Sequence, residues 1–426
     1  MYILVRMLSY FLIVFYIIIG IWNLVKKNIS LFKLNKKEMI LNTLFDDFKA
    51  IIVIPCLYEQ KIILETIDYF NNIINRQNNL ELVIVTTEKE EYERTIYKKN
   101  FETTSDIINN YFKKNNLKKM KHLHYPKHNG MMSDQLNYVI KFYNETNNDS
   151  KKTYFIVYNA DSRPNLDTFL NLNKIIYENK FPYIIQQYSY AFLNINKLSF
   201  IMKGFAVYQT NFEIKKGLCN AVINNNLFYK YIVGHGLFIR FDLLKRLSGF
   251  TSDFWCEDIF LSSNLCNKKI DIIPMTVLEN METPKNLTVL TKQNANWFRT
   301  SSQILKIAKA NYSIDGKVSF QLILWLINRF ILNVSWITFP IVMFIVTFVL
   351  MIKNKLILLN IIFLSYIFME ICIFYSTLKI IEKLEKNIIH NKLELLTSFI
   401  CATCISNIGP LYSLFNFKMK KYKTER

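Results

Sequence analysis

Tyr154-Phe155-Ile156-Val157-Tyr158-Asn159-Ala160-Asp161-Ser162-Arg163-Pro164 is the stretch on which the reading of the chain turns. Tyr154 to Tyr158 have the aromatic and β-branched composition of a buried strand. Asn159 and Asp161 follow two apart at its C-terminal end, where an open α/β sheet places its ligand. Two oxygen-bearing side chains at that spacing can face one hard cation, such as Mg²⁺, beside a diphosphate. The same residues also suit a strand ending in an Asx turn.

Outward from that strand the pattern is βαβ. Ala50–Pro55 and Leu80–Thr86 read as buried strands, and Glu59–Asn72 between them carries helical spacing. Leu123–Tyr125, Tyr183–Tyr190, Leu237–Arg240 and Ile270–Ile273 read as further strands. Ser133–Tyr143, Asp167–Tyr177, Phe241–Leu247 and Ile259–Cys266 read as helices, and Gly249 signals a helix end. Leu198–Tyr231, Asn-rich and aromatic, reads as irregular. The expected fold is α/β, with a mixed, mainly parallel sheet.

Half of the 426 residues are hydrophobic, and the mean hydropathy is positive at +0.13. Membrane segments are therefore expected. The formal charge of +20 suggests an anionic surface or ligand, while abundant Lys, Asn and Ile with only 9 Gly read as bacterial base-composition bias. The Cys residues follow no disulfide spacing, and reduced thiols fit a cytoplasmic domain. Leu8–Val25 is apolar enough to span, and Lys26, Lys27, Lys33, Lys36 and Lys37 beyond it place the next domain in the cytoplasm by the positive-inside rule. Residues 28–48 read as a linker and 49–300 as the α/β domain. Residues 301–329 read as interfacial, and 330–426 as a membrane region with a basic tail. Three C-terminal spans would put that tail outside; a split of Phe320–Ile352 into two short spans would return it.

Acidic residues recur at element ends: Glu59 after Pro55, Asp161 after Val157, and Glu257-Asp258 at a helix start. Such a set can hold a metal and supply a base, although Asp258 alone also suits a helix cap. His122, His124 and His128 read as scattered loop histidines, and no recognised nucleic-acid-binding module is present.

The order of the motifs resembles the membrane-anchored family-2 glycosyltransferases, which include cellulose, hyaluronan and chitin-oligosaccharide synthases. Ile-Pro-Cys-Leu-Tyr-Glu at 54–59 is similar to the family's Pro-x-x-Asn-Glu turn, with Tyr58 in place of Asn. Asn-Ala-Asp-Ser-Arg-Pro at 159–164 resembles its Asp-x-Asp-Ser-x-Pro metal motif, with Asn159 in the first place. Gln135-Leu136-Asn137, Gly234 to Arg240 and Cys256-Glu257-Asp258 resemble its Ala-Leu-Asn, acceptor-strand and Thr-Glu-Asp segments. Gln293 and Trp297 fit its Gln-x-x-Arg-Trp motif, with Asn296 in place of the Arg and Arg299 nearby. Thr86-Thr87-Glu88 stands where the family carries an Asp pair.

The resemblance implies a GT-A-type nucleotide-sugar-binding domain flanked by transmembrane helices at the cell membrane. It implies inverting transfer from a nucleotide-sugar donor, a UDP-sugar by expectation, to a polysaccharide or lipid-linked acceptor. Asp258 would be the catalytic base. Asp161 and Asn159 would hold a divalent metal, Mg or Mn. Pro55, Glu59, Thr86, Glu88, Gln135, Asn137 and Ser162 would line the donor. His235, Gly236, Glu257, Gln293, Trp297 and Arg299 would line the acceptor. The partners are then the donor, the glycan or lipid-linked acceptor and membrane lipid, with no nucleic acid. A lipid-directed enzyme of ceramide-glucosyltransferase type and an inactive nucleotide-sugar-binding partner are the alternatives.

Overall fold

The computed structural model describes residues 2–35, 47–98, 101–115, 117–145, 149–224, 230–385 and 391–416. Most of the expected linker, residues 386–390 and the basic tail lie outside them. The chain forms two compact units, one of residues 40–189 with 230–281, the other of residues 1–39, 190–229 and 282–424.

The first unit is built on a mixed, mainly parallel seven-stranded sheet. Its strands are β1 (Lys49–Pro55), β2 (Leu80–Thr87), β3 (Met120–Tyr125), β4 (Thr153–Val157), β5 (Ile184–Gln186), β6 (Leu237–Arg240) and β7 (Ile272–Pro274). The spatial order is β3-β2-β1-β4-β6-β5-β7. β6 is antiparallel to both of its neighbours; every other pair is parallel.

The two-residue period of a strand sorts its side chains between two cores. Ala50, Ile52 and Ile54, with Leu82, Ile84, Tyr154, Ile156 and Phe238, pack against Ile63, Ile67 and Phe70 on one face. Ile51, Val53, Val83, Val85, Phe155, Val157, Leu237 and Ile239 pack against Leu136, Val139 and Tyr143 on the other. Each such aliphatic side chain contributes roughly 1.5–3 kcal/mol on leaving water. The Ile63–Ile74 helix supplies Ile63, Thr66, Ile67, Phe70, Ile73 and Ile74, an i, i+3, i+4, i+7 stripe.

In the second unit four segments are long and apolar enough to cross a membrane: Ile3–Leu34, Phe320–Ile352, Leu356–Leu384 and Lys392–Phe415. The last breaks between helices Lys392–Cys404 and Ile408–Phe415. Phe320–Ile352 is a single helix that includes residues 320–329. Its Arg329 and Asn333 are buried.

Within the stretch read as irregular, residues 200–224 are helical instead, with Phe200–Glu213, a π-helical turn at Ile214–Leu218, then Cys219–Asn224. By their contacts residues 200–224 and 282–300 group with the second unit. The helix packs tightly on Lys392–Cys404: a Cβ on Gly204 would lie 2.0 Å from Ser398 O, and Lys203 Nζ bonds Glu394 Oε1 at 2.6 Å. Backbone blocks that Cβ, so the helices must separate to admit it. Gly204→Ala is expected to lower stability by about 1–3 kcal/mol, the usual cost of overpacking. Thermal unfolding of the detergent-solubilised protein measures it.

Candidate active site

In this sheet the chain runs from β1 outward through β2 to β3, then returns to place β4 on the other side of β1. The reversal leaves a crevice beyond the C-terminal ends of β1 and β4, the ligand position in open α/β sheets. The segments after Pro55 and Val157 flank it.

After Pro55 the backbone turns sharply, with Tyr58 at φ +56. The left-handed region costs a residue with a Cβ roughly 1–2 kcal/mol. The Tyr58 N–H donates to Glu90 Oε1 at 2.5 Å, which holds the turn. Glu90 is buried and also accepts from Gln60 Nε2 at 2.8 Å, the Thr104 N–H at 2.8 Å and the Thr104 hydroxyl at 2.9 Å. The Thr104 oxygen accepts in turn from the N–H of buried Glu59 at 3.0 Å. Glu90 thus organises the first loop of the crevice, a role without a local sequence signal.

At the ends of β2 and β3 a hydrogen-bonded chain crosses the sheet. His122 Nδ1–H donates to Asn109 Oδ1 at 2.8 Å, and the Thr86 hydroxyl lies 2.8 Å from His122 Nε2. With that ring nitrogen accepting, Thr86 Oγ1 is left to accept from His124 Nδ1–H at 2.9 Å. His124 Nε2 lies 2.9 Å from Glu88 Oε2, a bond that forms when that nitrogen carries a proton. Thr86 and Glu88 are therefore linked through His124, while His128 stacks on Tyr92 with ring centroids 4.0 Å apart. Among the described residues, Glu88, Glu91 and His124 form the one group of three or more acidic, His or Cys residues with ligand atoms within 4.8 Å of one another.

Gln135 and Asn137 serve backbone. Gln135 Nε2 donates to Cys56 O at 2.9 Å and Val85 O at 3.1 Å, tying the ends of β1 and β2. Asn137 exchanges two bonds with Phe250, at 2.7 and 2.8 Å.

Beyond β4, the Asn159 N–H donates to Ser162 Oγ at 3.0 Å, and the Ser162 N–H to Asn159 O at 3.1 Å. This tight turn follows β4 directly, with Asp161 buried within it. One carboxylate and one amide carbonyl are hard oxygen donors of the kind that suits Mg²⁺ or Mn²⁺.

The antiparallel β6 brings a second station to the same edge. Val157 pairs with Leu237, so the end of β4 lies beside the start of β6 and the Gly234-His235-Gly236 turn before it. Asp258 Oδ2 accepts from the Gly234 N–H at 3.1 Å, and Oδ1 accepts from the Ile259 N–H at 2.8 Å. A Cβ on Gly234 would sit 3.7 Å from both Asp258 Oδ2 and Glu257 Oε1. Glu257 and Asp258 therefore meet this turn.

Two buried side chains hold it from beneath. Gln186 Nε2 donates to His235 O at 2.8 Å and Gly236 O at 3.0 Å, while its Oε1 accepts from the Val233 N–H at 3.1 Å. Glu279, 0% exposed, places Oε2 3.2 Å from His235 Nδ1, and its Oε1 is buried without a hydrogen-bond partner. At Gly236, φ is +56, and a Cβ there would meet Gln187 O at 2.4 Å, so only glycine fits.

The other expected acceptor residues belong to the Leu287–Ser302 helix of the second unit. Gln293 Oε1 accepts from Gln209 Nε2 at 3.2 Å, and Trp297 is about a third exposed, at 36%. Arg299 Nε donates to Ser413 Oγ at 3.1 Å, fixing the guanidinium to the Ile408–Phe415 helix.

Burial, with the adjacent His124 charge, pushes His122 from 6.5 down to about 4. Between those two values the unfolded chain takes a proton that the folded chain refuses, so stability falls as the pH falls through that window. His122→Gln removes this titration and should flatten that part of the stability profile. Denaturant unfolding across the same window checks the slope.

No family model matches the chain, and no curated protein matches it either. Among solved structures it is similar to the mannosyltransferase PcManGT from Pyrobaculum calidifontis in complex with GDP-Man and Mn²⁺. The identity is 11% and the TM-score 0.48, over 95% of this chain and 99% of that one. It is also similar to S. aureus TarS 1–349 in complex with UDP-GlcNAc, at 12% identity and TM-score 0.44, over 86% of this chain and 92% of that one.

Proposed function

We propose that the protein is an inverting glycosyltransferase of GT-A type that moves a sugar from a nucleotide-sugar donor to a glycan or lipid-linked acceptor. One observation carries this reading. Asp161 follows β4 at the sheet edge where the turn bonded to Asp258 enters β6. Two carboxylates of different surroundings, one buried and one partly buried, then serve one crevice.

The donor diphosphate occupies the switch point between β1 and β4. Asp161 and the Asn159 carbonyl would hold a divalent cation, Mg or Mn, which supplies Lewis-acid stabilisation of the leaving diphosphate charge. Thr86 and Glu88, at the end of β2, face the nucleoside in this reading. Asp258 accepts the proton of the acceptor hydroxyl as that oxygen bonds the anomeric carbon and the nucleotide departs. Its two backbone N–H bonds aim the carboxylate without a long search of rotamers. One displacement at one carbon inverts it, giving a β-linkage from an α-linked donor. The catalytic unit faces the cytoplasm in this proposal, as the lysines after the first span suggest.

A donor screen that reads nucleotide release, with Mg²⁺ and Mn²⁺ compared, tests the activity. Asp258→Asn should lower kcat by about 10²–10⁴-fold, the usual worth of a positioned base, with donor affinity nearly unchanged. Full turnover in that variant sinks the assignment. A wild-type protein that binds a donor yet releases no nucleotide would be a donor-binding partner instead.

A further inference from the structure

Glu279 is a fully buried titratable side chain to which the transfer steps give no task. Its backbone lies beside the Asp161 turn. Glu279 and Asn280 pair antiparallel with Pro164 and Arg163, so Glu279 stands opposite Pro164, three positions after Asp161. Arg163, itself buried, draws that turn tight. Its Nη1 donates to Ala160 O at 3.1 Å and to Ser162 O at 3.0 Å, the carbonyls on either side of Asp161. The Glu279 N–H donates to Tyr188 O at 3.0 Å, which fixes the strand on its other edge.

The side chain meets the Gly234–Gly236 turn. Oε2 lies 3.2 Å from His235 Nδ1, and a Cβ on Gly236 would sit 2.9 Å from the same oxygen. An ionised carboxylate only accepts, so Nδ1 carries the proton of that bond. His235 follows Gly234, whose N–H donates to Asp258 Oδ2 at 3.1 Å. Glu279 therefore joins the turn that carries Asp161 to the turn that holds Asp258, the first by backbone and the second by one side-chain bond.

Packing alone does not account for a carboxylate at this position. Its Oε1 is enclosed and has no hydrogen-bond partner. Tyr158, a phenol within electrostatic reach, spends its proton on Gln187 Oε1 at 2.5 Å. An enclosed polar atom without a partner is destabilising, and an apolar side chain of similar volume would avoid that cost. What the carboxylate adds is the bond to Nδ1, which sets the tautomer and orientation of the imidazole. Fast transfer needs the base held within about 0.5 Å of its productive place.

We propose that Glu279 is a positioning residue for sugar transfer: through His235 it fixes the turn that holds Asp258 at a set distance from Asp161. This role rests on the transferase reading of the same crevice. The full chain, with isotope-labelled histidine ring nitrogens, is reconstituted in liposomes and studied by solid-state NMR. It has 5 His, and the His235 signals are those that His235→Asn removes. Nδ1 of His235 should carry a proton in the wild type and in Glu279→Gln, whose amide oxygen can still accept. In Glu279→Leu that preference should be lost. A bare Nδ1 in the wild type overturns the proposal, a result that needs no substrate and does not depend on Glu279→Leu folding.

Turnover is read with the donor that the nucleotide-release screen identifies. Glu279→Leu should lower kcat about 10–100-fold, while donor affinity, titrated separately, stays near wild type. Glu279→Gln should restore most of that loss. Wild-type kcat in Glu279→Leu, or equal losses in the two variants, sinks the role of Glu279 and leaves the transferase assignment standing. Absence of nucleotide release from the wild type with every donor sinks the transferase assignment and this role with it.

Discussion

The first unit depends on the pairing of β1 with β2 on one side and β4 on the other. β1 is hydrogen-bonded along both edges, and its residues from Ala50 to Ile54 are fully buried on both faces. That double burial is what a near-continuous apolar run provides in a parallel sheet. Because the chain reverses its direction of travel at β1, the loops leaving β1 and β4 diverge and open a crevice. The acidic and hydroxyl side chains gathered there owe their proximity to this backbone arrangement. They need no mutual attraction to converge.

Charge in this unit is handled by enclosure. Glu90 sits out of water, yet every oxygen it presents receives a donor, so it acts as a rigid peg for the first loop. Glu279 is equally enclosed and is satisfied on one oxygen. Gln186 completes the set with three bonds to one turn. A buried polar group that loses its partner costs about 1–3 kcal/mol, so these bonds fix the turn before Leu237 more firmly than packing could. In the second unit, by contrast, Lys26 and Lys27 are held by neutral oxygens.

Much of the first unit is legible from local pattern. β6 is read to the residue, and β1, β2 and β4 to within one, because apolar β-branched runs punctuated by turn residues have few other uses. The positions of Asp161 after a strand and Asp258 at a helix start are local facts and can be read. What cannot be read is long-range. Glu90 lies 32 residues from Tyr58, Gln186 lies 49 from His235, and Glu279 lies 44 from His235. No window of sequence contains both partners. The Phe200–Glu213 helix is hidden for another reason. Its buried face includes Gly204, Gln209, Thr210 and Glu213, so the apolar stripe that normally betrays a helix is diluted. Likewise Gln321, Asn328 and Arg329 suggest a membrane boundary only if polar side chains face water, and Arg329 faces protein.

The lone reversed strand has a further consequence. Every neighbour contributes to the crevice by its exit, whereas β6 contributes by its entry. Its alternate residues also belong to both cores, Phe238 to one and Leu237 with Ile239 to the other. Sliding this strand by a single position would trade Phe238 between the two layers and drag the Gly234–Gly236 turn by more than 3 Å at the same time. Length changes are therefore barred between Val233 and Arg240. Any lineage that alters what this crevice accepts must do so by exchanging side chains there, or by inserting residues on the outer β2–β3 side.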